Sequence, residues 1–409
     1  MKIWIKYLTG ILIGMAFALI APDKNAAFTG ITEFLTQFFV QAGRYALYPV
    51  LFFSITLSVY EHRENRTLFR IGWHTALVIV ASTVGIALLG LVSVLIANPA
   101  RIPIFVEGSS DIEKIGIGAS LLQLLPSSAF EVFANGLFIL PLCAFGAFAG
   151  AGCAVDKNDA KATLTLFDSL ARVSYSIMTF FVDSVAIGLI AVSLNWALQF
   201  RGMLASKVFL DFIVLLVVDL LILAVVVWPL VIRLTCGKVN PFRVLYASIA
   251  SILAAFISGD TVMTLPVLVR HANESLGIRR RVSTITLPLF SVFARGGTVL
   301  VTVTSFLLIL KSYSSLGVSF TDTLWLVGVA IALSFALGRF PSGGAFVALA
   351  TVCALYGRGF ESGYLILKPA AFFLGSIAAA IDALTAIMGT YILAQRQDQA
   401  THRELRFFI

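Results

Sequence analysis

The chain has 409 residues, of which 59% are hydrophobic and only 12% charged, and its mean hydropathy is +0.97. Soluble domains carry roughly 25% charged residues, so this composition excludes a soluble globular protein and leaves no room for a sizeable soluble domain. The net charge of +8 does not point to nucleic acid, because the basic residues gather in short loops. These are Arg63, Arg66 and Arg70; Arg233, Lys238 and Arg243; Arg270, Arg279, Arg280 and Arg281; and Arg396, Arg403 and Arg406. Loops rich in Arg and Lys stay on the cytoplasmic side. Together with Lys2 and Lys6 they predict a multi-pass protein of the cell (inner) membrane with both termini in the cytoplasm.

A helix needs about 20 apolar residues to span a bilayer. Apolar stretches lie at 7–21, 46–60, 74–97, 136–155, 173–198, 208–232, 283–310, 324–338 with 343–356, and 364–395. They predict an all-α polytopic membrane protein with about eight transmembrane helices plus extra pieces. The stretch 7–21 has small residues near its end (Ala16, Ala18, Ala21), as a signal peptide would. Pro22-Asp-Lys is a poor cleavage context, so a first spanning helix is expected. Residues 98–126 form the one long polar connection, and 145–152 is rich in Gly and Ala, which lets helix backbones approach in lipid. Cys143, Cys153, Cys236 and Cys353 match neither a metal spacing nor a disulfide framework and read as small apolar residues. His74 reads as a satisfied core residue. Asp168, Arg172, Asp183 and Asp219 read as groups facing loops, interfaces or each other.

Two of the apolar stretches are interrupted. Ser258-Gly-Asp-Thr-Val-Met-Thr-Leu-Pro266 and Gly338-Arg-Phe-Pro-Ser-Gly-Gly344 carry charge, Gly and Pro where a spanning helix favours Leu and Val. Non-helical backbone at membrane depth persists only where protein buries it or it lines a wet cavity, and paired breaks of this kind point to a transporter's binding site. Residues 238–270 and 324–356 are each long enough for two half-spans, so each is expected to form a re-entrant helical hairpin. Flanking charge makes the first open from the cytoplasm and the second from outside. Hairpins from opposite sides that meet near the midplane form an inverted repeat suited to alternating access. A membrane enzyme is not supported, since no His-Glu-x-x-His, Gly-x-Ser-x-Gly or His cluster occurs.

The run from Thr264-Leu-Pro266 to Ile278, continued by Arg281-Val-Ser-Thr-Ile-Thr-Leu-Pro-Leu289, resembles the dicarboxylate/amino acid:cation symporters, the glutamate transporter family. It is similar to that family's first hairpin leading into its seventh helix. Pro126 to Gly136 with Leu140-Pro141 resembles the start of the fourth helix, Arg44 to Gly90 the second and third helices, and Pro341-Ser-Gly-Gly344 the tip of the second hairpin. The resemblance covers nearly the whole chain in order. It implies an elevator-type homotrimer in which scaffold helices one and two (1–71) and four and five (119–204) hold a mobile transport domain. That domain would comprise helix three (72–100), helix six (205–237), hairpin one (238–270), helix seven with an unwound middle (282–312), hairpin two (322–357) and helix eight (363–395), with 396–409 as a cytoplasmic tail. It also implies symport of a dicarboxylate, or an acidic amino acid such as glutamate or aspartate, with sodium or protons, and no bound cofactor. The partners implied are a small carboxylate solute and the lipid bilayer.

The chain departs from the family where the chemistry lies. The family's unwound Asn-Met-Asp-Gly-Thr falls on Ala294-Arg-Gly-Gly-Thr298, which removes oxygen ligands that a hard cation needs and keeps Thr298. In the last helix Asp382 and Thr390 match, whereas the next family acid falls on Ala386, the substrate-binding Arg on Gly389, and the later Asn and Asp on Leu393 and Gln397. Ser82 and Thr83 match a hydroxyl pair beside a family sodium site. New charges appear at Asp260, Arg295 and Arg339, and ionisable groups at membrane depth default to functional hypotheses with a partner. The candidate substrate-binding residues are therefore Thr261, Arg295, Thr298, Arg339, Ser342, Gly343, Asp382 and Thr390. Ser82, Thr83 and Asp260 are the candidates for ion coupling. Arg suits bidentate carboxylate binding, so Arg295 or Arg339 could replace the lost substrate Arg; alternatively Arg295 pairs with Asp260 or Asp382 in place of a sodium ion. An anion-permeable or transport-inactive sensor of the same fold, and a neutral amino acid carrier, stay open as rival functions.

Overall fold

The computed structural model describes residues 2–21, 26–103, 118, 122, 125–134, 138–204, 207–237, 239–313 and 319–409. Pro22-Asp-Lys, most of the polar connection at 98–126 and the end of the Pro126–Gly136 stretch lie outside the described residues. Among these residues the chain is predominantly helical, with eight helices long and apolar enough to cross a membrane. They begin with α1 (Ile3–Ile20), α2 (Ala26–Glu64) and α3 (Leu68–Ala97). The short α4 (Leu140–Cys153) and the 48-residue α5 (Lys157–Leu204) follow. Helix α6 (Leu210–Cys236) contains a π turn at Leu223–Val227. Such a turn relieves the clash and missing N–H introduced by Pro229 one residue into the next segment.

Next come α7 (Pro241–Ser258) and α8 (Thr261–Glu274), then α9 (Arg280–Phe293) and α10 (Gly296–Tyr313). The chain closes with α11 (Phe320–Ser334), α12 (Gly344–Tyr356) and α13 (Ala371–Arg396). Helix α2 runs 39 residues, well beyond the apolar stretch 46–60, because Thr, Gln and Arg44 interrupt its hydropathy without interrupting helix propensity. His74 is half-buried near a surface rather than in the core, with its Nδ1 2.6 Å from the Arg70 carbonyl.

Burial separates the helices by role. In the most apolar windows of Arg280–Tyr313 and Gly363–Arg396, 94% and 89% of residues are buried, against 33–50% in the other six spans. Lipid cannot reach these two segments, which is why they tolerate Ser, Thr, Asp and Arg. Helix α13 packs on α7, α9 and α10, and α10 packs on α3. On the other side α5 packs along α1 and α2, with α4 against α2. Close approach depends on glycine at Gly297, where a Cβ would stand 2.3 Å from the Ala378 carbonyl oxygen and 2.7 Å from the Ile381 Cβ.

The basic loops gather at one end of the bundle. Arg281 Nε pairs with Glu61 at 2.5 Å, the Arg279 N–H donates to the Gln399 carbonyl at 2.9 Å, and the Lys2 ammonium lies 3.5 Å from the Leu405 carbonyl. Both terminal segments therefore share this end. Asp183, on α5, joins Lys6 and Arg270, each at 3.1 Å. Asp168 pairs with Arg172 at 2.8 Å, and buried Asp219 accepts from Ser93 at 2.8 Å.

The Gly297 contact yields a direct test. Gly297→Ala must push α10 from α13 and should destabilise the folded protein by about 1–3 kcal/mol, the range for overpacking. Gly85→Ala, which meets nothing within 4 Å, should leave the thermal midpoint in detergent unchanged. Equal midpoints for the two variants would refute the packing assignment.

Candidate functional site

Both sequence breaks are turns that meet. Helix α7 ends on Gly259 at φ +61°, a left-handed C-cap that an L side chain resists. Asp260 then caps α8, its Oδ1 accepting from the Val262 and Met263 N–H groups at 2.9 and 2.8 Å. Across from it, α11 gives way to a 3₁₀ turn at Leu337–Arg339, and Gly343 at φ +70° starts α12. The Thr261 N–H donates to the Pro341 carbonyl at 3.0 Å, its hydroxyl to the same oxygen at 3.3 Å, and Asp260 bridges to Ser342 through backbone. Ser342 and Gly343 face outward, whereas Asp260 and Thr261 are buried.

Asp260 does not meet Arg295. Its Oδ2 takes an ion pair from Arg44 of α2, a residue that sequence reasoning missed. The signal was present: Arg44 is the one charged residue between Glu33 and Glu61, and a cation so placed implies an acidic partner.

A third break lies deeper. Between α9 and α10 only Ala294 and Arg295 leave the helix, and α10 begins on two glycines. Asp382 of α13 caps that beginning. Its Oδ1 accepts from the Gly297 N–H at 2.7 Å and its Oδ2 from the Thr298 hydroxyl at 3.3 Å. A carboxylate at a helix N-terminus satisfies unpaired N–H groups and meets the positive end of the helix dipole. The Arg295 Nη1 stands 3.8 Å from the Asp382 Oδ2, and both side chains are at most 4% exposed. The guanidinium thus lies at the break itself, beside the start of α10. Its Nε and Nη2 make no hydrogen bond among the described residues.

The remaining candidates divide. Thr83 and Thr390 are fully buried, and among the described residues neither hydroxyl has a hydrogen-bond partner. Thr83 sits one turn before Ile86, whose Cδ1 would lie 2.7 Å from a Cβ at Gly296, so it belongs to the wall beside the break. Ser82 turns away and donates to its own backbone, at the Ile79 carbonyl, at 3.0 Å. Arg339 is half-buried, with its guanidinium 5.6 Å from the Phe340 ring centre. At Gly389 the Phe290 ring fills the space, since a Cβ there would be 2.4 Å from its Cζ. Phe290 was also missed, because nothing local in the sequence says which helix face it meets. The break thus offers one carboxylate, already met by a guanidinium, and an apolar wall towards Leu393.

A polytopic helical bundle with paired interrupted hairpins and an unwound, charged central helix defines a carrier-type membrane protein. The sodium:dicarboxylate symporter family profile matches residues 3–396, and the chain belongs to that family. It is 22% identical over 193 residues to a C4-dicarboxylate transport protein of Bacillus subtilis (strain 168). That similarity covers 45% of this chain and 45% of the relative.

The pair at the third break is testable by charge alone. Asp382→Asn keeps an acceptor for the Gly297 N–H but leaves the Arg295 guanidinium buried without its counter-charge, a change that costs about 3–5 kcal/mol. A large loss of folded, monodisperse protein is expected, with recovery when Arg295→Met is added. A stable single variant, or a double variant no better than the single, would show that the two charges do not depend on each other.

Proposed function

We propose that this chain is a secondary transporter that moves a small dicarboxylate across the membrane by alternating access, and that its coupling does not use the family's full sodium scheme. The observation that carries the reading is the meeting of the two hairpin tips, Thr261 on Pro341, beside a broken helix whose charge is held internally by Arg295 and Asp382. Family membership supports the solute class, and so does the name of the Bacillus relative. Phe290 at Gly389 and the side chain of Leu393 offer nothing to an amino group, which favours a dicarboxylate over glutamate or aspartate.

In this reading α1, α2, α4 and α5 are the scaffold, and α3, α6 to α13 move as one body. The Arg44–Asp260 pair then crosses between them, as do the pairs of Asp183 with Arg270 and Glu61 with Arg281. The hairpin tips form the gate, Ser342 and Gly343 face the solute's path, and Arg339 or Arg295 receives a carboxylate. Thr298 and Thr390 contribute hydroxyls. Asp260 and Asp382 are the groups through which protons would couple. Both termini face the cytoplasm, an orientation supported by the basic loops at their end of the bundle, and a homotrimer follows from the family resemblance.

One observation favours a second reading, a sensor of the same fold that binds but does not carry. The Phe290 ring occupies the place from which the family's substrate-binding Arg would reach.

Reconstituted uptake separates these readings. In proteoliposomes, labelled succinate should accumulate in a saturable, gradient-driven manner, with at most a shallow response to sodium. Steep cooperative sodium dependence would overturn the coupling proposal, and binding without accumulation under either a sodium or a proton gradient would favour the sensor.

A further inference from the structure

A cavity of about 450 Å³ opens at the basic end of the bundle, between the start of α7, the end of α13 and the tail at 400–403. Arg243, His402 and Arg403 line it, and among the described residues no acidic side chain does. The Arg243 Nη1 lies 2.9 Å from the His402 Nε2, and its guanidinium sits 5.2 Å over the Phe408 ring. Neither Arg243 nor Arg403 has a carboxylate within ion-pair distance among the described residues. The adjoining cavity, lined by Arg70, Arg279, Arg281 and Arg396, differs in this respect. It contains Glu61 and Asp398, and Arg281 is already paired there. The first cavity therefore gathers positive charge that no acidic side chain among the described residues meets.

What borders it indicates the anion's source. Leu230 and Leu234, one turn apart on α6, are 56% and 76% exposed, and Phe242 beside Arg243 is 54% exposed. These apolar side chains lead along the outside of the bundle to Cys236 and Val239 at the cavity's edge. A ligand that fits both parts carries a phosphate for the guanidinium groups and hydrocarbon for α6. Arginine matches phosphate oxygens with paired N–H donors, and basic pockets at the cytoplasmic end of spanning helices hold anionic headgroups. We propose that this cavity binds the headgroup phosphate of an anionic phospholipid, whose chains lie along α6. The bound lipid would pin the tail at 400–403 to the cytoplasmic end of α7, the first arm of hairpin one.

The full chain in nanodiscs tests this. Native mass spectrometry should show one phosphatidylglycerol retained per chain in preference to phosphatidylcholine. The Arg243→Gln, Arg403→Gln variant should bind phosphatidylglycerol about thirtyfold more weakly, the effect of two basic residues near a headgroup. Arg66→Gln, which removes an exposed charge of the same end, should change nothing. Equal loss from Arg66→Gln would reduce the effect to general surface charge and overturn the site. Inorganic phosphate is the second arm. If it binds with the same variant dependence while phosphatidylglycerol shows no preference, the cavity takes a soluble anion and the lipid proposal fails. Should the double variant not fold, the exposed Arg403→Gln change alone gives the result, with severalfold weaker lipid binding expected and unchanged binding refuting the site.

Discussion

The structure turns on one buried contact, the reach of Asp382 from α13 to the start of α10. A helix cannot begin inside a protein at membrane depth unless its first N–H groups find acceptors. Asp382 supplies two acceptor oxygens, to Gly297 and Thr298, and Arg295 supplies the opposite charge. Without the carboxylate, α9 and α10 would have to join as one continuous helix or expose polar backbone to an apolar core. The two most buried segments of the chain are held at their crossing by this group, and the glycines that permit the approach serve the same contact.

The hairpin tips follow a related logic with a different partner. Asp260 satisfies the start of α8 exactly as a capping residue does at any helix, but its second oxygen is turned to Arg44 on a distant helix. The tip is therefore set from two sides, by Pro341 of the facing turn and by α2. Ion pairs of partly buried groups at an interface can be exchanged without unfolding either side. Under the proposed transport cycle this pair would join parts that separate.

The architecture was legible in the sequence wherever a local rule was broken. Gly259, Asp260, Pro341 and Gly343 announce turns inside apolar runs because charge, Gly and Pro fall close together there, and the structure turns at those residues. The break at Ala294-Arg-Gly-Gly297 was expected from the family resemblance, not from a broken local rule. The partners of these groups were not legible. Arg44 lies 216 positions from Asp260, and hydropathy carries no information about which polar group meets which across that distance. Arg295 had two acids within plausible reach, and only the register of α13 against α10 selects Asp382. Phe290 filling the space at Gly389 is a matter of shape between two helices, and a pattern of apolar residues records that a face is buried without recording against what.

The internal pair has an electrical consequence. A free cation bound at the broken helix would cross the membrane field once in each turnover and be released, and the field would do work on it. A guanidinium fixed to the backbone makes the outward and return journeys alike, so its net displacement over a cycle is zero. Moving one elementary charge through 100 mV is worth about 2.3 kcal/mol. Under the proposed coupling, a carrier built around Arg295 would forgo that contribution for each ion so replaced. Its accumulation ratio would then be less responsive to membrane voltage than that of a carrier whose cations come and go.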